Sequence, residues 1–555
     1  MKIITPAFAM GINLFLFYSG IVVIPQLMLL AGFPIHLFYI LPILLLVGAA
    51  SYIFQRNYLT IRGKKAFLFN GAISLLLIIL CFVFAGSFYD TSFDGNWYHQ
   101  DAMYLLENGW KPVYKVLEES ETSYSQKYLN HFPNSSWVAG AFIYKITGNI
   151  ECAKGLNLLL LLALIGPAFS LYNKLLKGQS LAAFLLALAT AANPILLMNL
   201  GNTYADGQVA ALFTLALIFG CLQILDTGWV MGFLALLAAA ILANLKFTSA
   251  AYAFLLVSAG LAYLWHLKAY SFRKIITIGL GWGLFTYGIL GFSPYLSNWL
   301  RMGHPLYPLS EGRAKFFNPE SIYPANFLTK NPVQNFFYSL YAKPVWSRNP
   351  EQAQLKTLFG KTPLSSYEVG MPELAAMGPL AAELFTLLLP LFVLAMWRSK
   401  KAERNYFLLL IGLVMLTVFI NPEAWIMRYV PQFWLVFTLM LLAIFRQSLV
   451  QTEKNNFWKI SAWVLLLACF ANLFLVGKTA VAGAVRHSKT QEAVLQKLKT
   501  EATKYEVFHG WTLTFRNRLG AAGIDTSKLV YIPDNDSTSY LIPQSLSARY
   551  RPKRP

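Results

Sequence analysis

The side chains best suited to proton transfer gather in residues 89–114, where three aspartates, Asp90, Asp94 and Asp101, stand among tyrosines, tryptophans and a histidine. A carboxylate held within about 3 Å of a hydroxyl can take its proton as that oxygen attacks. A helix opening at Asp94 would place Asp94, Tyr98 and Asp101 on one face, at spacings of four and three. The bland alternative is an aromatic belt at a membrane surface with solvated acids. A fourth aspartate, Asp206, sits in the short turn Tyr204-Ala205-Asp206.

Three cations complete the set. Lys246 lies in Asn244-Leu-Lys-Phe-Thr, Arg301 ends Pro294-Tyr-Leu-Ser-Asn-Trp-Leu-Arg just before His304, and Arg428 lies in Met427-Arg428-Tyr429. A charge near a bilayer interior costs on the order of 3 kcal/mol on insertion scales, so such residues usually line a polar cavity and meet a partner. Lys246, Arg301 and Arg428 suit a phosphate or pyrophosphate, which accepts charge-assisted, bidentate hydrogen bonds. Snorkelling to lipid phosphates is the competing role. A divalent metal, Mg or Mn, bridging carboxylate, histidine and phosphate is the one cofactor these residues would use, although no ligand spacing specifies it.

The elements that must position these groups are membrane helices. Of 555 residues 57% are apolar and 13% charged, with mean hydropathy +0.50, against about a quarter charged in a soluble chain. The apolar residues come in runs near the roughly 20 that a helix needs to cross a bilayer, which favours an all-α polytopic bundle over a barrel. The net charge of +20 is concentrated in short loops, as the positive-inside rule expects, and does not call for nucleic acid. Four scattered cysteines, Cys81, Cys152, Cys221 and Cys469, indicate neither a disulfide framework nor a zinc cluster.

About thirteen spans follow, beginning with a retained first span after Lys2. Arg56, Arg62, Lys64 and Lys65, then Lys174 and Lys177, then Lys268, Arg273 and Lys274, then Arg398, Lys400, Lys401 and Arg404, then Arg446, Lys454 and Lys459 mark successive inner loops. The alternation puts Asp94, Asp206, Lys246, Arg301 and Arg428 on the outer side, with long outer segments at about 88–153 and 292–378. Residues 1–476 form the membrane module. The tail, 477–555, carries 13 Lys and Arg against 6 Asp and Glu, net +7, and reads as a small α/β appendage with a helix near 490–504 and strands near 505–509 and 528–532.

The order apolar span, Asp94, Tyr98, Ala102, Leu105-Leu106, Gly109-Trp110 and Pro112 resembles the first outer loop of the GT-C superfamily of integral-membrane glycosyltransferases, relatives of which include lipid A aminoarabinose, protein O-mannosyl and oligosaccharyl transferases. The resemblance implies a GT-C-like bundle in the inner or plasma membrane that takes a sugar from a polyprenyl-phosphate donor at the extracytoplasmic face. The acceptor would be a hydroxyl of a lipid, glycan or protein. It implies Asp94 as the base. Many relatives have a second acid adjoining the first; here Gly95 takes that place, leaving Asp90 or Asp206 to supply the second carboxylate. Tyr98, Asp101, Lys246, Arg301, His304, Arg428 and Tyr429 are the expected substrate contacts. A polysaccharide polymerase or ligase acting on lipid pyrophosphates, which would lean on Arg301 and His304, is the enzyme alternative. A lipid-linked sugar transporter is the other; it would place its charges at broken helices near the midplane and show internal repeats.

Overall fold

The computed structural model describes residues 6–58, 64–118, 125–226, 229–311, 323–345, 352–368, 372–450, 456–501, 505–508, 512–524, 540–542 and 549–552. Among these, ten helices are long and apolar enough to cross a membrane, or up to twelve if each of two bent pairs is one span. The chain is an all-α polytopic membrane protein with a minor β element. The expectation of about thirteen spans is met only to that extent, for local reasons. The run at 180–201 bends by 57° at Asn193-Pro194, and the run at 272–302 by 82° around Ser293-Pro294. Proline lacks the N–H that continues a helix and pushes the preceding residue toward extended geometry, as Ser293 shows (φ −103°, ψ 120°). A further apolar helix, Trp229–Ala243, has only 15 residues.

At the centre, α1 (Pro6–Leu30) packs along the helix Gly155–Leu175. Small residues set their approach. A side chain at Gly11 would lie 2.6 Å from Pro167 Cδ and 2.7 Å from the Ala163 carbonyl oxygen, so only glycine lets these backbones come together. Several polar side chains inside the bundle find partners, as the scarcity of water there favours. Tyr18 Oη donates to Gln208 at 2.7 Å, and Gln26 Nε2 donates to Asn134 at 3.0 Å and to the Leu290 carbonyl at 2.9 Å. The helices Ile40–Tyr58 and Lys64–Gly86 instead leave Leu45, Ile53, Leu68, Phe69 and Val83 exposed, as a lipid-facing surface does.

Three of the cationic turns meet at one end. Arg446 donates from Nε to Glu403 at 2.7 Å and also to the Leu175 carbonyl, while Gln447 donates to Ser399 Oγ at 2.6 Å. These contacts tie together the turns that carry Lys174, Lys177, Arg398 and Lys401. Arg62 and Lys454 lie outside the described residues.

The tail does not begin as a separate unit at 477. One continuous helix of 44 residues, Phe457–Thr500, runs through Gly477. At 1.5 Å per residue it is about 66 Å long, twice the roughly 30 Å hydrocarbon core, so its second half projects well past the apolar band. That half docks beside the acidic loop, where Ser488 Oγ accepts from the Tyr89 N–H at 2.8 Å. Beyond it, the strands Tyr505–Phe508, Arg549–Pro552 and Tyr540–Leu541 pair antiparallel in that spatial order, and a short helix, Leu513–Ala521, packs under the acidic loop. The expected strand near 528–532 lies outside the described residues.

Candidate functional site

The first loop leaves Lys64–Gly86, runs without regular secondary structure to Ser92 and becomes helical at Phe93 and Asp94. It then makes a π-turn, Gly95–His99, before the α-helix Gln100–Glu107. A π-turn has more residues per turn than an α-helix and is frequent at functional sites. Here it rotates the register, and the face expected to hold Asp94, Tyr98 and Asp101 together is split.

Asp94 points across the bundle to Arg428, 3.3 Å away, although 334 residues separate them in sequence. The Asp94 N–H also donates to Tyr204 Oη at 3.1 Å. Arg428 lies with its guanidinium carbon 5.4 Å from the Tyr204 ring centre and 5.2 Å from that of Tyr429, within cation–π reach of both. The ammonium of Lys246 stands 5.3 Å from the same Tyr429 ring and pairs with Asp206. The result is two ion pairs, Asp94–Arg428 and Asp206–Lys246, joined through one tyrosine. Local sequence explains the placement. Asp206 is the first residue of the helix Asp206–Asp226, where the macrodipole favours a negative charge, and Lys246 caps the start of Phe247–His266.

Polar capacity remains at this site. Arg428 Nε and Asp206 Oδ2 are buried and have no hydrogen-bond partner among the described residues, which marks a donor and an acceptor open to a ligand. Around them the phenols stay protonated. Burial first, and the Asp94 charge second, push Tyr98 and Tyr204 well above the ordinary phenol value, and burial pushes Tyr429 up to about 12. Tyr98 stacks on Tyr128 with ring centres 5.1 Å apart, giving the site an aromatic wall. His99 is buried, and burial lowers its pKa to about 3, with the Lys246 charge acting in the same direction. Its Nδ1 accepts from the Trp137 indole N–H at 2.7 Å. Because indole is a donor only, the proton of this neutral imidazole sits on Nε2.

The other expected site residues go elsewhere. Asp90 is fully buried beneath the loop, and its carboxylate accepts from the N–H and Oγ of Ser92 and the N–H and Oγ1 of Thr203 at 2.6–2.8 Å. It binds the first loop to the Asp206 turn and has no exposed oxygen for a substrate. Asp101 faces the tail and caps the helix Leu513–Ala521, accepting from Leu513 N–H at 3.1 Å, Thr514 N–H at 2.7 Å and Thr514 Oγ1 at 2.5 Å. Arg301 is exposed and donates to the Val113 carbonyl at 2.6 Å, and His304 is exposed with its ring accepting from Leu306 N–H at 3.1 Å. Neither is joined to the two ion pairs by any of these contacts. Gly95 is a glycine of necessity. A Cβ there would meet the Asp90 carboxyl carbon at 2.7 Å, so a second acid beside Asp94 has no room.

Among the described residues no group of three or more His, Cys, Asp or Glu side chains converges to hold a metal ion. Asp94 and Asp206 are each already neutralised by a cation, and these residues do not fit a divalent ion. Sequence reasoning gave no role to Tyr204, which holds both Asp94 and Arg428. It also gave none to Glu151 and Lys154, two opposite charges three residues apart at the start of an apolar run. That spacing is itself the signature of a buried helical pair, and they form one at 2.8 Å. No protein-family model, curated protein or solved structure matches the chain, and its functional reading rests on these residues.

Proposed function

We propose that this protein is a GT-C-like glycosyltransferase that moves a sugar from a polyprenyl-phosphate donor to an acceptor hydroxyl at the extracytoplasmic end of the bundle. The observation that carries the reading is the doubled ion pair: Asp94 with Arg428 and Asp206 with Lys246, one rim, one shared tyrosine. Each carboxylate occupies, on its cation, the place that an anionic donor group would take. A donor phosphate takes Lys246 and Arg428, with the unpartnered Arg428 Nε as an additional donor. Asp94 is then released to accept the acceptor's proton. The acceptor oxygen forms its bond to the anomeric carbon as the bond from that carbon to the phosphate oxygen breaks. The proton goes to Asp94 and the electron pair to the polyprenyl phosphate, whose charge the two cations hold. Tyr98 and Tyr128 offer a ring face to the sugar, and Asp206 orients Lys246.

Asp206 and Lys246 open helices whose other ends carry the inner-loop residues, and the positive-inside rule supports reading the end with the ion pairs as the outer one. The polymerase or ligase reading relied on Arg301 and His304, and their engagement with Val113 and Leu306 leaves Lys246 and Arg428 as the phosphate cations. The test is direct: purified protein in nanodiscs, given a labelled polyprenyl-phosphate sugar and a panel of acceptors, should release polyprenyl phosphate in step with acceptor labelling. Movement of intact donor across the bilayer with no release would favour the transporter.

A further inference from the structure

The residues after Gly477 have no part in the chemistry above, yet one of their side chains ends inside the loop that carries Asp94. Arg518, on the helix Leu513–Ala521, is 5% exposed. Its Nε donates to Glu151 at 3.1 Å. Its first terminal nitrogen donates to Asn96 at 2.7 Å and Gln491 at 3.3 Å. The second donates to Glu151 at 2.6 Å, the Asp90 carbonyl at 2.9 Å and Gln100 at 3.0 Å. Three of these acceptors, at 90, 96 and 100, bracket Asp94 on both sides. Glu151 binds the same loop independently, accepting from the Asp90 N–H at 2.7 Å and from Gln100 at 3.2 Å, while Lys154 shares its charge.

A π-turn is a sparsely populated geometry that persists only where its surroundings over-determine it. In the segment after Asp94, Glu151 and Trp137 supply part of those surroundings and the tail supplies the rest, through Asn96 and Gln100. We infer that Arg518 is a positioning residue for Asp94: its guanidinium fork, inserted from the C-terminal helix into the loop 90–100, holds the turn that aims the Asp94 carboxylate at the reacting hydroxyl. Asp101 supplies a second fastening by capping the helix that bears Arg518. The tail is therefore part of the active site's framework. Lys246 and Arg428 belong to elements that Arg518 does not touch, so loosening the fork moves the base and spares the phosphate cations.

This inference rests on the transferase reading, and the experiment separates the two. In full-length protein in nanodiscs, Arg518→Met and Arg518→Lys are compared with wild type by hydrogen exchange over 90–101 and by transfer kinetics per folded molecule. Arg518→Met should raise exchange over 90–101 by about tenfold or more, with 240–250 unchanged. It should lower kcat by at least about tenfold while donor KM stays within about twofold. Arg518→Lys, which keeps the charge and loses the fork, should recover part of kcat. Unchanged exchange over 90–101, or unchanged kcat, or a rise in donor KM with kcat retained, overturns the inference. If Arg518→Met does not yield monodisperse protein, Asp101→Asn takes its place with the same two readouts and the same overturning results. A wild-type protein that transfers no sugar removes the transferase reading alone, and the exchange arm still decides whether Arg518 holds the loop.

Discussion

Replacing Lys246 by Met isolates the charge of the Asp206–Lys246 pair, because methionine keeps most of the apolar stem while deleting the ammonium. Asp206 is left 2% exposed without its partner. Breaking a buried pair by removing one member costs about 3–5 kcal/mol. Two features pull the value toward the lower limit: Lys246 is itself 25% exposed, and the N-terminus of Asp206–Asp226 stabilises the orphaned carboxylate by up to about 1 kcal/mol. The expected loss is about 3 kcal/mol. Asp206→Asn relieves the buried charge, so the double variant Asp206→Asn/Lys246→Met should be more stable than Lys246→Met alone. The assay is a double-mutant cycle by reversible denaturant titration in mixed micelles, with an expected coupling of about 2–3 kcal/mol. A cycle in which the two changes add to within about 0.5 kcal/mol, as independent sites do, would refute the pair and with it the idea that the carboxylates stand in for the donor phosphate.

Burial pushes Asp101 up to about 7, against the ordinary 3.8, with its three hydrogen bonds from Thr514 and Leu513 only partly offsetting this. The folded state then holds a proton that the unfolded chain releases, so stability is fullest below pH 3.8, falls as pH rises toward 7 and levels off above it. Asp101→Asn should remove that slope, which comparison of the two unfolding curves between pH 4 and 8 would show; a slope kept by the variant would assign it to another group. Gly95→Ala should cost about 1–3 kcal/mol by overpacking against Asp90, whereas Gly220→Ala, with nothing within 4 Å of its Cβ, should cost nothing in the same titration. Equal stability of the two variants would mean that the first loop yields freely.

The bundle was legible because a span needs little more than about 20 apolar residues, and the cationic turns gave the alternation that sends Asp94, Asp206, Lys246 and Arg428 to one end. Their pairing was not legible. No local rule joins residues 334 apart, and whether Arg428 meets Asp94 or Asp206 depends on how the helices pack. Asp101 was misplaced for a different reason: helical spacing assumes 3.6 residues per turn, and the π-turn after Asp94 breaks that count. Asp90 was read from residue type alone, which cannot tell a carboxylate saturated by Ser92 and Thr203 from a free one. Arg301 and His304 were read from residue type too, and their exposure and their contacts with Val113 and Leu306 are tertiary facts. The boundary at 477 followed a real change from apolar to charged composition, but a helix does not end where its environment changes, and no proline or cap interrupts Phe457–Thr500. Arg518 offered no signal at all, being one cation in a basic tail.

Asp94→Asn removes the proposed base for the acceptor's proton with the least change in shape. The measurement is release of labelled polyprenyl phosphate by purified variant in nanodiscs, alongside donor binding by the same preparation. General-base catalysis contributes roughly a hundredfold to ten-thousandfold, so the account predicts a loss of that size with donor binding retained and Asp90→Asn, where it folds, far less affected. Turnover by Asp94→Asn within tenfold of wild type would contradict it.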